Sequence, residues 1–335
     1  MPFKKCQNHI ASNNKRLAST RLKSLVKRLR SNTELFESYS DIFKQQLQEG
    51  IIEEVTDSTA PGEGEYFMPH HPVQRPDKAT TKLRIVFDAS SKMRAKSLND
   101  VLHSGPNLFT PLFDILIRFR QNRIALVADI KQAFLQVKID EKHRDFLRFI
   151  WIKDLQADTE TIYRFARVVF GVSASPFLLN ATIKYHLGKF EGDIAKKVSN
   201  SLYVDDLTSG AKNDDKTIFL YKESKRILAE GGFELRKWES NSAVVMNEIN
   251  SCEPPERDEI GNKIVEETQS YADTVSNKRT LVAEYESKVL GIVWDKKSDD
   301  FVFRFDDIAK DANKNKCTKR NLLSIIVSIY DPIGF

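Results

Sequence analysis

Two acids stand side by side in Tyr203-Val204-Asp205-Asp206, between Leu202 and Leu207-Thr208. In a strand, successive side chains point to opposite faces. Two neighbouring acids therefore approach one site only where that alternation breaks, at a tight turn. Ser201 to Gly210 accordingly reads as a hairpin with its acids at the tip. A solvent-exposed polar turn explains the pair by itself, because Asp is a common turn residue. A third acid shifts the balance. Asp129 ends an apolar run, Arg123-Ile124-Ala125-Leu126-Val127-Ala128, that reads as a strand buried on both faces. An Asp at such a junction can cap a following helix. Beside the hairpin tip it would instead complete a group of three carboxylates, which repel one another unless cations occupy the site. Magnesium takes oxygen ligands, usually a few carboxylates plus substrate phosphates. Two such ions about 4 Å apart clamp the attacking and leaving oxygens of an in-line phosphoryl transfer.

The rest of the chain predicts helices before and after clustered strands, and hence an α+β fold rather than alternating α/β. Leu22, Leu25, Val26 and Leu29 recur at helical spacing. Leu35, Tyr39, Ile42, Phe43 and Leu47 form the stripe of a second helix, Thr33 to Glu49, with Gly50 just past its end. Residues 60–76 read as loop with short extended pieces. Leu83 to Phe87 reads as a strand. Asp145 to Ile152 and Arg164 to Phe170 read as a strand pair around a polar connection, Lys153 to Thr161. Ser175-Pro176 opens a helix, with Ser as cap and Pro in the first turn. Another helix runs from Asp215 to Glu230. Residues 241–280 are polar and read as an insertion or mobile loop. Strands return at Lys288 to Trp294 and Phe301 to Phe305, and a last helix spans Lys319 to Ser328.

Composition excludes several classes. With 335 residues, 41% hydrophobic and 30% charged, the chain can bury a core. No apolar run approaches the roughly 20 residues of a membrane span, and no signal peptide is evident, so a cytoplasmic or particle-enclosed protein without a membrane partner is expected. Cys6, Cys252 and Cys317 lack zinc or disulfide spacing and read as free thiols. The net charge of +5 is uneven: Lys4, Lys5, Lys15, Arg16, Arg21, Lys23, Lys27, Arg28 and Arg30 all precede the first acid, Glu34. Residues 1–34 form a basic arm, which either neutralises phosphates or is a solvated, partly disordered tail.

These residues carry a family resemblance. Ala128-Asp129-Ile130-Lys131-Gln132-Ala133-Phe134 resembles motif A of reverse transcriptases, Gly171-Val172-Ser173-Ala174-Ser175-Pro176-Phe177 their motif B, and Tyr203-Val204-Asp205-Asp206 their motif C, in the family's order. The flanking blocks are similar to the BEL/Pao class of long-terminal-repeat retrotransposons. They are Leu83 to Ser90, Leu98-Asn99-Asp100 with Gly105-Pro106, Leu235-Arg236-Lys237-Trp238 with Ser240-Asn241, Leu290 to Trp294, and Tyr330 to Gly334. The similarity covers about residues 35 to 335 and is weakest over 241–280.

The resemblance implies an RNA-directed DNA polymerase with the right-hand fold: fingers, a palm of antiparallel sheet backed by helices, and the start of a thumb. Fingers would take mainly 35–120 with part of 141–170, and the palm 121–240. Residues 281–318 would end the palm at the primer grip, and 319–335 would begin the thumb or connection. Asp129, Asp205 and Asp206 would be the catalytic metal ligands, holding two Mg2+ ions, with Mn2+ as a substitute. Arg84, helped by Lys82, would contact the incoming triphosphate; a strand-face ion pair is the plainer role for Arg84. Phe134 would be the steric gate against a ribose 2′-hydroxyl, or ordinary core. Lys237 would stand near the leaving pyrophosphate, or be a snorkelling surface lysine. Tyr203 and Val204 would sit against primer and template. Many retroviral relatives have Gln where Phe170 precedes the motif B glycine, so Phe170 is expected only to line the dNTP pocket.

Expected partners are an RNA or DNA template with its primer, dNTPs, and any protease, ribonuclease H and integrase domains of the same polyprotein. The chain breaks off inside a block resembling a longer family sequence. It therefore reads as a fragment, a truncated copy or a piece of a polyprotein. A co-opted copy that binds nucleic acid without catalysis is the alternative. An RNA polymerase would share the palm chemistry, and a bulky Phe134 argues against it.

Overall fold

The computed structural model describes residues 1–4, 14–56, 58–59, 62–74, 83–92, 95–156, 159–253, 285–314 and 316–330. Lys82, Cys6 and residues 254–280 of the expected insertion lie outside them. The chain forms two compact units, one of residues 1–108 and 132–182, the other of 109–131 and 183–253 with 285–330. Both mix helices with antiparallel sheet, giving an α+β fold. Among the described residues no helix is long and apolar enough to cross a membrane.

The first unit holds α1 (Asn14–Leu29), α2 (Thr33–Gln48), α3 (Leu98–Val101) and α5 (Glu141–Arg144). Its strands are β1 (Ile52–Glu54), β2 (His70–Gln74), β3 (Leu83–Phe87), β5 (Arg148–Ile152) and β6 (Glu160–Phe165). The sheet order is β1-β6-β5, with β2-β3 as a separate antiparallel pair. Helix α1 is longer than its leucine stripe suggested and is docked rather than a loose tail: Ala18, Leu22, Leu25, Val26 and Leu29 are buried. In α2, Asn32 caps the start by accepting from Leu35 N at 3.0 Å, and Gly50 takes φ +63° just past the end. Leu47 was expected on its buried stripe but is exposed, because Tyr39 and Phe43 complete the contact with the sheet. Strand β6 begins four residues before expectation. Glu160 to Tyr163 pair with Phe149 to Ile152 despite their polarity, since one edge of the ladder faces solvent.

The second unit holds α4 (Leu112–Arg120), β4 (Ile124–Ile130), α7 (Asp193–Ser201), β7 (Leu202–Tyr203), β8 (Asp206–Ala211), α8 (Asp214–Glu230), β9 (Leu235–Glu239) and α9 (Ala243–Cys252). After the undescribed stretch come β10 (Glu286–Val289), β11 (Ile292–Asp295), β12 (Asp300–Val302), α10 (Asp306–Lys314) and α11 (Lys319–Ser328). Helix α6 (Ser175–Leu187) begins in the first unit and ends in the second. Ser175 does not cap it as expected; its hydroxyl donates to Val169 O at 2.6 Å.

Two further corrections have local causes. Residues 243–252 form α9, because Ser242 caps the helix by accepting from Val245 N, and Val245 and Ile249 bury one face. The expected single strand 288–294 is a hairpin, β10 against β11, folded at Leu290-Gly291 with φ +51° and +85°. A non-glycine residue at the first position hides that turn from inspection. This hairpin and β12 pack against α4 around Ile115, Leu116, Phe119, Val289 and Trp294.

Candidate active site

The second unit's sheet has the order β7-β8-β4-β9, all antiparallel. Strand β4 is central because its side chains are apolar on both faces: Ala125, Leu126, Ala128 and Ile130 are buried and Val127 is half-buried. Pairing with β8 sets Asp129 directly across from Asp206, and Ile130 N donates to Asp205 O at 2.8 Å. The three aspartates therefore meet at one end of one sheet. Their meeting is a matter of register, and a one-residue slip would turn either strand's acid to the opposite face.

The hairpin that carries Asp205 and Asp206 is closed by the Tyr203–Asp206 pair, leaving Val204-Asp205 as a two-residue turn. Val204 has φ +57° and is 1% exposed. A β-branched residue in that region is strained, by roughly 1–2 kcal/mol. Burial of the Val204 side chain offsets the strain. Asp205 and Asp206 are each 9% exposed, which rules out the solvent-exposed polar turn. Tyr203 lies half-buried with its ring 5.7 Å from that of Phe109.

On the other side of β4, Asp129 is paired with Arg236 of β9, and Arg236 Nε stands 3.5 Å from Asp129 Oδ2. Between Val127–Glu239 and Asp129–Arg236 the ladder shifts, so that Lys237 and Trp238 together oppose Ala128. This is a β-bulge, and Lys237 sits in it at φ +52°. Bulges and positive-φ residues are costly features that concentrate at functional sites. Arg236 was legible in the sequence only as part of a resemblance block. Nothing in its spacing singles it out as the partner of Asp129.

The remaining expected site residues belong to the first unit. Arg84 is half-buried on β3, opposite Val73. Phe134, on a 3-10 turn (Ala133–Gln136), is 1% exposed and packs edge-on against Phe170 at 4.4 Å. Phe170 itself is exposed. The next residue, Gly171, has φ +91°, and a Cβ there would meet Phe87 O at 2.5 Å, so only glycine fits. Asn99 ties this loop down, donating to Gly171 O at 2.9 Å and accepting from Ser173 N at 2.8 Å. In the sequence Asn99 stands out only as part of a resemblance block, and its tethering role is set by the tertiary fold.

The donor set suits a hard divalent cation, being carboxylate oxygen alone. Among the described residues no three His, Cys, Asp or Glu side chains form a ready-made metal group. Magnesium usually holds one or two carboxylates and completes its shell with water and substrate phosphates. The Asp129–Asp206 pair with Asp205 beside it fits that mode.

The family described as reverse transcriptase (RNA-dependent DNA polymerase) matches residues 76–250, just over half of the chain, including all three aspartates and Lys237. No curated protein matched. Among solved structures, a foamy viral protease–reverse transcriptase in complex with an RNA/DNA hybrid aligns over 89% of this chain and 31% of its own, at 17% identity and TM-score 0.54. The prototype foamy virus protease–reverse transcriptase, as a selenomethionine-labelled CSH mutant, aligns over 61% of this chain and 24% of its own, at 18% identity and TM-score 0.46. The chain thus spans less than a third of the length of these proteins. At such identity the likeness with the hybrid complex speaks for the fold. Together with the family match it leads to one statement: the chain belongs to the reverse transcriptase (RNA-dependent DNA polymerase) family.

Proposed function

We propose that this chain is the polymerase part of a BEL/Pao-type retrotransposon reverse transcriptase, extending a primer 3′-hydroxyl with dNTPs on an RNA or DNA template. The observation that carries this reading is the β4–β8 register, which puts Asp129 across from Asp206 with Asp205 alongside. Asp129, Asp205 and Asp206 would hold two Mg2+ ions. When bound, these would supply a lowered pKa at the primer hydroxyl and compensation of charge on the leaving pyrophosphate. The protein's own groups would do the positioning. Arg84 would bind the triphosphate as a planar cation. Phe134, locked by Phe170, would exclude a 2′-hydroxyl by bulk. Lys237 would place a positive charge, or a proton, near the pyrophosphate. Tyr203 and Val204 would support the primer end. The polymerase would work in the cytoplasm or inside virus-like particles, alongside the other domains of its polyprotein.

Primer extension on poly(rA)/oligo(dT) with Mg2+ or Mn2+ tests the reading. Asp205→Asn should lose more than the roughly 10- to 100-fold that removing a metal's outer-shell partner costs. Equal extension by wild type and variant would sink the enzyme. Phe134→Ala should raise ribonucleotide use relative to dNTP use, a ratio that corrects for any loss of folded protein; an unchanged ratio removes the gate. The element class is checked by sequencing the flanking genomic DNA, where paired long terminal repeats are expected.

A further inference from the structure

Helix α1 lies outside the residues matched to the family, and the carboxylate site does not use it. From Asn14 to Arg30 the chain holds Lys15, Arg16, Arg21, Lys23, Lys27, Arg28 and Arg30 and no acid. All seven cations are exposed. The opposite face is locked into the unit by its buried aliphatic residues and by Asn14, whose side chain donates to Phe67 O at 2.5 Å and accepts from Phe67 N at 2.8 Å. The charged face therefore has a fixed direction and cannot roll inward.

Arg16, Lys23, Lys27 and Arg30 follow one another at helical spacing and form a stripe about 21 Å long at 1.5 Å per residue. Arg21 is paired with Asp88 at 2.8 Å. Among the described residues no acid forms an ion pair with Arg16, Lys23, Lys27 or Arg28. Like charges at this spacing repel, so the face gains from an anionic partner. Beside the stripe, Thr20, Arg21, Ser24, Arg28 and His71 border a cavity of about 230 Å³. Asp88 lines the same cavity, and the Thr20 and Ser24 hydroxyls donate to Arg16 O and Thr20 O, so it is the Arg28 guanidinium that offers the usual contact to phosphate oxygens there.

The face also lacks something. Single-strand binding surfaces combine cations with aromatic rings on which bases stack. No Phe, Tyr or Trp occurs between Asn14 and Arg30. Cations without rings suit a backbone whose bases are already stacked on one another.

We propose that the outward face of α1 is a duplex-binding surface that grips the phosphate backbone without reading sequence. It rests on the reading above only in taking nucleic acid as this chain's substrate. The test is fluorescence anisotropy of a short labelled RNA/DNA hybrid over a range of salt, with the full chain and no dNTP. The variant Arg16→Gln/Lys23→Gln/Lys27→Gln/Arg28→Gln should flatten the slope of log K against log salt by about 3–4, from ~0.9 per lost phosphate contact. A second variant, Lys44→Gln/Lys92→Gln/Lys153→Gln/Lys222→Gln, removes the same charge elsewhere and should leave the slope nearly unchanged. If circular dichroism shows that the fourfold variant has lost helix, Lys27→Glu is read instead, with an expected change of about 1. An unchanged slope, or an equal change in both fourfold variants, overturns the proposal. So does a single strand that is affected as much as the hybrid, or loss of binding to phosphatidylserine vesicles with hybrid binding intact. Primer extension by the wild type is scored separately. Extension with an unaltered slope would remove only the α1 surface, whereas a flattened slope without extension would leave it standing and remove the polymerase.

Discussion

Each unit buries acids, and the two do so in opposite ways. In the first unit, Asp145 is 1% exposed and accepts from Arg164 Nη1 at 2.9 Å, Arg148 Nε at 3.0 Å and Gly62 N at 2.7 Å. Burial alone would push its carboxyl up; the hydrogen bonds from the two arginines and from Gly62 outweigh that and hold it below the ordinary range. In the second unit, Asp129 and Asp206 face each other across a ladder, Asp205 sits in a strained turn, and Arg236 Nε stands 3.5 Å from Asp129 Oδ2. The first arrangement satisfies an anion and is a fastener. The second gathers like charges, which costs stability and makes sense where a cation is to be received. Burial of an acid therefore says little about its role until its neighbours' signs are known.

The sharpest way to break that contrast is to compare substitutions for stability as well as activity. Asp145→Ala should destabilise by up to roughly 3–5 kcal/mol in urea unfolding, because buried Arg164 and half-buried Arg148 each lose one of two carboxylate partners and keep only the more exposed Glu53 and Glu65. Asp206→Asn should leave stability unchanged or raise it by up to about 1 kcal/mol, since like charges directly opposite each other are unfavourable, while primer extension collapses. If Asp206→Asn destabilised as much as Asp145→Ala, the second cluster would be a fastener too.

A somewhat smaller effect is expected from His70, buried among Tyr39, Phe43, Phe149 and Trp151 with Nε2 at 2.9 Å from Ile150 O. Burial pulls its pKa down to about 4. The folded value lies below the unfolded one near 6.5, so the unfolded chain binds the extra proton first. The resulting stability is complete above about pH 6.5 and is lost as pH falls towards 4, by roughly 3 kcal/mol. His70→Phe should flatten that limb of the stability–pH curve. An unchanged limb would place the acid sensitivity elsewhere. The smallest expected effect is at the bulge. Lys237→Gly should gain about 1 kcal/mol by relieving the positive φ, yet lower extension if the ammonium assists the leaving group. A gain in both would mark Lys237 as a surface lysine.

Much of this was legible before any coordinates. The helical stripes of α1 and α2 and the two strand-like runs around Asp129 and Asp205 follow from local periodicity and turn chemistry, which depend on neighbours in the chain. The split of 288–294 into β10 and β11 escaped because Leu290 adopts a conformation its side chain does not advertise. Helix α9 escaped because only Val245 and Ile249 are buried on it, too short a stripe to stand out in a polar segment.

The sequence by itself thus determined that three aspartates were available, each at an element end, and that the N-terminal helix would be basic. Whether Asp205 and Asp206 formed an exposed turn or a buried site was decided only by pairing between β4 and β8, together with packing around Val204. So was the choice of Arg236 as neighbour of Asp129, through a bulge in β9. The reason is that strand register is a long-range property: it is set by which faces must be buried together, and no window of neighbouring residues contains that information.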